Sequence, residues 1–176
     1  MPASPVPAVS CPSAGHSAVW LTHEEEQAWI AAAAMIVLVP GALDAQLQRD
    51  AGLNLFEYLV LSWLSMAPGR ALRMSELADL ANGSPSRLSN VARKLEARDW
   101  IRRYPDAEDG RCMWAALTES GYALVVAAAP GHVAAVRKYV IDPLSQAQVR
   151  SLAGIGRRIR RRRRHNKPQL VDVCFN

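Results

Sequence analysis

Residues 73–103 read R-M-S-E-L-A-D-L-A-N-G-S-P-S-R-L-S-N-V-A-R-K-L-E-A-R-D-W-I-R-R, and the fold turns on how this stretch is read. Leu77, Ala78, Leu80 and Ala81 predict a short apolar helix over about 75–81. Asn82-Gly83 supplies a tight turn that tolerates left-handed backbone. Ser84 stands at an N-cap position and Pro85 at the favoured first position of a second helix, which should reach about Arg98. Helix, glycine-containing turn and second helix together make the helix-turn-helix pattern. Trp100–Tyr104 and Cys112–Leu117 then read as strands joined by the turn residues P-D-A-E-D-G (105–110), a hairpin placed as a wing.

The second helix has two faces. Leu88, Val91, Ala92 and Leu95 form one apolar stripe that should pack on the helix before it. Ser86, Arg87, Asn90, Arg93 and Lys94 point away from that stripe. Arginine can bridge guanine O6 and N7, asparagine can bridge adenine N6 and N7, and serine can reach a phosphate or a base edge. The free amides at the helix start also favour a nearby phosphate. A solvated basic face is the bland alternative for such a helix taken alone; the preceding helix, the turn and the wing favour insertion into a major groove. In the wing, Asp109 stands two residues before Arg111. An ion pair between them would hold the arginine extended toward a minor groove.

Outward from this centre, Asn54 with Glu57 forms a capping-box pattern opening an almost wholly apolar helix over about 55–66, ended by Pro68-Gly69. Thr22 with Glu25 opens an earlier helix over about 23–49, in which Pro40-Gly41 should make a kink or a break. Thr118-Glu119 starts a helix with an expected break at Pro130-Gly131, and Ser145 with Gln148 starts a last one carrying Val149, Leu152, Ile155 and Ile159 on one face. The Pro-, Ala- and Ser-rich residues 1–19 read as a disordered arm and 166–176 as a disordered tail.

Charge narrows the function. The net charge is +5, but residues 157–164 hold seven arginines and no acid, and the other 14 Lys+Arg face 16 Asp+Glu. The rest of the chain therefore stands at −2. Between Ser84 and Arg103, however, six basic residues meet two acids, a local +4. The arginine run should fray beyond Ile159 because like charges repel at i,i+4. No run of about 18 apolar residues is evident, so no membrane span is expected, and no secretory leader pattern opens the chain. Cys11, Cys112 and Cys174 have no metal-site spacing, the four histidines are scattered, and no cofactor loop occurs. A non-enzymatic, cytoplasmic chain without cofactor is expected.

The sequence resembles the MarR family of bacterial transcription regulators. The resemblance rests on R-M-S-E-L-A-D-L-A (73–81), S-P-S-R-L-S-N-V-A-R-K-L-E-A-R (84–98), the wing D-A-E-D-G-R (106–111) leading into L-T-E-S-G (117–121), and the G-L-N-L-F-E-Y-L-V-L segment before them. It implies a mainly α fold with a small β-hairpin wing, a winged helix-turn-helix lobe (53–119) between dimerisation helices (20–52 and 120–165) that interleave in a homodimer. It implies double-stranded DNA with a near-palindromic operator as partner. The positions matching the family's DNA-contacting residues are Ser84, Ser86, Arg87, Ser89, Asn90, Arg93 and Lys94, with Asp109 and Arg111 in the wing. A small lipophilic or phenolic effector is a further implication, with Trp29, Met35, Trp63 and Met66 as candidate walls; the same side chains also suit plain core. Three positions depart from the family pattern: Ala107 replaces the usual wing proline, Asp99 a glycine after the second helix, and Asn90 a frequent arginine. The absence of cysteine between Trp20 and Arg111 speaks against peroxide sensing, and Cys112 reads as structural. A winged helix that binds protein instead of DNA is the alternative; such a module would expose apolar residues where Arg87, Asn90 and Lys94 stand.

Overall fold

The computed structural model describes residues 20–164; the expected arm and tail lie outside them. The chain divides into two compact units inside its first helix, Met1–Met35 and Ile36–Asn176. The described part of the first unit is one helical segment. Its start carries the expected capping box: the Thr22 amide donates to Glu25 Oε2 at 2.8 Å, and the Glu25 amide to Thr22 Oγ1 at 3.3 Å. Helix α1 spans His23–Ala51 and runs through Pro40-Gly41 uninterrupted, so of the expected kink or break the break does not occur. Pro40 is exposed. A proline on the solvent side leaves the carbonyl four residues earlier, which lacks the proline's missing N–H, to bond water, and this lowers the cost of keeping the helix.

The second unit holds the core. Helix α2 (Leu55–Met66) begins on Asn54, whose side chain accepts from the Glu57 amide while Glu57 accepts from the Asn54 amide. Asp44 of α1 fixes the same corner by accepting from the Leu55 amide at 2.7 Å. A 3-10 turn at Pro68–Arg70 leads into a three-residue strand β1 (Ala71–Arg73), which the sequence reading missed. Helices α3 (Met74–Leu80) and α4 (Pro85–Ala97) follow, then β2 (Ile101–Pro105) and β3 (Met113–Leu117). The wing is therefore part of a three-stranded antiparallel sheet ordered β1-β3-β2, in which Arg73 pairs with Trp114 and Ile101 with Leu117. Leu47, Leu61, Leu64, Leu77, Leu88, Leu95 and Ile101 are fully buried in one cluster under α2.

Helix α5 (Glu119–Val136) is capped by Thr118, runs through Pro130 where a break was expected, and continues as a π turn at Arg137–Ile141. Pro130 is exposed as Pro40 is, and the same solvation argument applies. Helix α6 (Gln146–Arg164) opens on the expected Ser145–Gln148 box and stays helical through the arginine run instead of fraying at Ile159. Each i,i+4 repulsion costs only about 0.2–0.5 kcal/mol and is screened on an exposed face. Within His23–Ala51 and Glu119–Ile141, 18-residue windows reach mean hydropathies of 1.8 and 1.3, long and apolar enough by that measure to cross a bilayer. Core helices of soluble proteins pass the same measure, so these windows do not overturn the expectation of no membrane span.

Two glycines sit where no side chain fits. A Cβ on Gly121 would lie 2.1 Å from the Trp100 carbonyl oxygen, and one on Gly83 would lie 2.6 Å from the Phe56 ring. The left-handed residue of the α3–α4 turn is Asn82, at φ 52. Asp99 takes φ 57 at the end of α4, so this chain adopts the left-handed conformation that the family's glycine serves.

Candidate nucleic-acid interface

The site is built on α4. Ser84 caps it by accepting from the Arg87 amide at 3.2 Å, and its hydroxyl also lies 3.1 Å from that of Ser86. Pro85 occupies the first turn. Leu88, Ala92 and Leu95 are buried, and Val91 packs partly against the core. Ser86, Arg87, Asn90, Arg93 and Lys94 are exposed, as the wheel predicts, while Ser89 is half-buried at the edge of the stripe.

Several of these cations are held by groups that periodicity alone did not reveal. Lys94 Nζ lies 2.8 Å from Glu57 Oε1, and the Glu57 side chain is only 4% exposed. One carboxylate thus closes the cap of α2 with one oxygen and draws α4 onto α2 with the other. Lys94 is consequently a tether between the helices as well as a surface cation. The Arg87 guanidinium lies 4.1 Å from the centre of the Phe56 ring, an arrangement that presents it from a fixed base. Arg103 donates from Nε to Glu96 at 2.9 Å, and that bond holds the Glu96 carboxyl below its ordinary pKa. Arg98 lies over Trp100 at 4.9 Å. Among the described residues, Arg93 and Arg102 have no ion pair, so the local +4 is distributed very unevenly.

The wing departs from expectation in its bonding. Asp109 makes no ion pair with Arg111 among the described residues; its carboxylate accepts from the Arg111 amide at 3.1 Å and from Cys112 Sγ at 3.5 Å. A two-residue spacing across a tight turn brings the backbone N–H closer than the end of a long side chain. The Arg111 side chain is exposed. Asp109 pushes the Cys112 thiol above its usual pKa, which disfavours the reactive thiolate and suits a structural role.

The carboxylate organising the wing is Asp106. Its Oδ2 accepts from Trp114 Nε1 at 2.7 Å and from Arg73 Nη2 at 3.0 Å. Its Oδ1 accepts from the amides of Glu108 at 3.0 Å and Asp109 at 3.4 Å. These bonds, that from Trp114 foremost, hold its carboxyl at about 2. The turn signal P-D-A-E-D-G could have pointed to Asp106 as its first acceptor, but not to Arg73 and Trp114, which reach it through strand pairing.

The four candidate effector-wall residues are divided between the two units. Trp29 and Met35 belong to the first unit and are exposed; in the second unit Met66 is exposed and Trp63 packs partly against the core. A cleft of about 480 Å³ lies elsewhere, between the end of α5 and the start of α6, lined by Arg137, Ile141, Leu144, Val149 and Arg150 among others.

Comparison with known proteins places this geometry. The family model described as MarR family matches residues 51–111. Sco3205, a MarR family transcriptional regulator from Streptomyces coelicolor solved in complex with DNA, is 41% identical, with a TM-score of 0.78 over 85% of this chain and 96% of that one. AbsC, a MarR family transcriptional regulator from the same organism, is 34% identical, with a TM-score of 0.77 over 83% of this chain and 98% of that one. The HTH-type transcriptional repressor Rv2887 from Mycobacterium tuberculosis is 40% identical over 73 residues, 42% of this chain; the match spans only 51% of that relative's length. Sequence likeness across nearly the full length of two solved regulators, on the same winged helix-turn-helix, gives the conclusion that this chain belongs to the MarR family of transcriptional regulators.

Proposed function

We propose that the chain is a sequence-specific, DNA-binding transcriptional repressor that works as a homodimer in the cytoplasm and is released by a small lipophilic or phenolic ligand. The observation that carries the DNA part is the exposed face of Ser86, Arg87, Asn90 and Arg93 on a capped, well-anchored α4. A protein-binding winged helix would expose apolar residues there, and catalysis has no part in this reading. In the bound state α4 enters a major groove, Ser84, Ser86 and Ser89 meet phosphates or base edges, and Arg111 reaches the adjacent minor groove. Lys94 offers a phosphate its remaining N–H donors while it holds Glu57. Asp109 shapes the wing turn that presents Arg111.

The dimer reading rests on exposed apolar side chains. Ile36, Val37 and Leu38 of α1, Val133 of α5, and Ile155 and Ile159 of α6 are each more than half exposed. Apolar surface of that extent calls for a cover, and a second copy offers a matching one. This division assigns residues 20–52 and 120–165 to dimerisation and 53–119 to DNA. The ligand part rests on family membership and on the aromatic and thioether side chains of Trp29, Met35, Trp63 and Met66. Footprinting on the DNA upstream of its own gene, with and without small aromatic acids, tests the whole reading. A protected near-palindrome that fades with ligand supports it. No protection at any salt concentration would sink it, and a monomer by light scattering would sink the dimer.

A further inference from the structure

The Asp106 cluster joins parts of the molecule that the DNA reading treats separately. Arg73 immediately precedes α3, the first helix of the helix-turn-helix, and caps it with its backbone but not with its side chain. Trp114 is its cross-strand partner on β3. The Arg73 guanidinium also lies over the Trp114 ring, 5.6 Å from its centre. Asp106 sits at the base of the wing turn, its side chain only 9% exposed, and takes one bond from each of these residues on a single oxygen. Its other oxygen gathers the Glu108 and Asp109 amides of the turn that ends at Arg111. The main chain closes the same loop, with the Asp106 amide on Cys112 O and the Cys112 amide on Asp109 O, both at 2.8 Å.

Strands β2 and β3 alone would leave the tip of the hairpin free to twist, because a two-strand ribbon is compliant. The third strand and the Asp106 bonds remove that freedom. We propose that Asp106 is a positioning residue for DNA binding, latching the wing to the start of α3 through Arg73 and Trp114 and so fixing where Arg111 meets the duplex. The proposal rests on the DNA-binding reading above. It assigns the wing's placement to a bond between the wing and the helix-turn-helix, and not to the Asp109–Arg111 pair. A preset wing lets Arg111 bind without first losing conformational freedom.

The test is a mutant cycle on a duplex that the wild-type protein selects from a random pool. Asp106→Ala, Arg73→Gln and Arg111→Ala should each weaken binding about tenfold. The Arg73→Gln/Arg111→Ala double variant should bind hardly more weakly than Arg111→Ala alone, because the latch acts through the arginine it places. Hydroxyl-radical protection should disappear at the minor-groove flanks and persist under α4. Arg73→Gln spares the turn bonds of Asp106, so it carries the test if Asp106→Ala unfolds by circular dichroism. Additive losses, unchanged affinity, or flank protection that survives in Arg73→Gln overturn the latch. Arg87→Ala separates the two claims. If it weakens binding while the latch variants do not, only the latch falls; if the wild-type protein selects no duplex at all, the DNA reading and the latch fall together.

Discussion

In α4 and the strand after it, Lys94 reaches Glu57, Arg103 reaches Glu96 and Arg87 lies over Phe56. In α6, by contrast, Arg157, Arg158, Arg160 and Arg161 are exposed and have no carboxylate within ion-pair distance among the described residues. Both stretches are strongly basic, yet only the first is built into a core. Its cations have defined positions relative to one another, which base-specific contacts require. Those of α6 have charge and helical spacing but, among the described residues, no carboxylate or ring that fixes their position. The count of charges favours α6, whereas the fixing of charges favours α4. The second property bears more closely on sequence recognition.

This contrast can be broken at the backbone. Gly121→Ala should cost the packed lobe about 2–3 kcal/mol, because the new methyl group meets the Trp100 carbonyl. Denaturant unfolding would measure it; an unchanged midpoint would mean that α5 does not seat on the end of α4 as described. At the level of binding, Arg87→Ala should lose about 1–3 kcal/mol and relax one base position. Replacing Arg157, Arg158, Arg160 and Arg161 together by Gln should instead leave the base preference intact and change the log–log salt slope by less than about one unit. A drop of several units in gel-shift titrations would place α6 on the duplex and reverse the comparison.

Smaller effects sharpen it. Gly156→Ala should stabilise α6 by about 0.5–1 kcal/mol, since its Cβ would meet no atom within 4 Å and alanine is the better helix former. That is opposite in sign to Gly121→Ala, and a destabilisation would reveal a close neighbour for α6 in solution. The smallest effect is a pH dependence at His132, whose ring lies 4.5 Å from that of Tyr58 and whose buried Nδ1 has no hydrogen-bond partner among the described residues. Burial lowers its pKa below 6.5. The unfolded chain therefore binds the proton more readily, so this contribution to stability is complete above pH 6.5 and is lost as pH falls through the folded-state value. Thermal unfolding from pH 7.5 to 5 should fall more steeply for the wild type than for His132→Gln. Parallel curves would remove His132 as the cause.

Much of the lobe was legible in the sequence because its signals are local. Asn54–Glu57, Ser84-Pro85 and Thr118 mark helix starts within four residues, and the stripe Leu88–Ala92–Leu95 sets the buried face of α4. Strand β1 was not legible, since three residues carry no periodicity and it exists only by pairing with β3. The partners of Lys94 and Asp106 were hidden for a related reason: Glu57 lies 37 residues from Lys94, and Arg73 lies 33 from Asp106. A break was overread at Pro130, and the break that was one of two expected outcomes at Pro40 does not occur, because an exposed ring costs a hydrogen bond but not the helix.

The left-handed turn at Asp99 has a mechanical consequence. The Asp99 carbonyl accepts from the hydroxyls of Thr118 and Ser120, the Trp100 carbonyl accepts from the Thr118 amide, and Gly121 is seated against that same oxygen. The last turn of α4 and the first turn of α5 thus grip one short piece of main chain from both sides, with no slack between them. Rotating α5 about its axis would drag the end of α4 with it. Any push delivered along α5 has a stiff lever onto the helix proposed to read DNA.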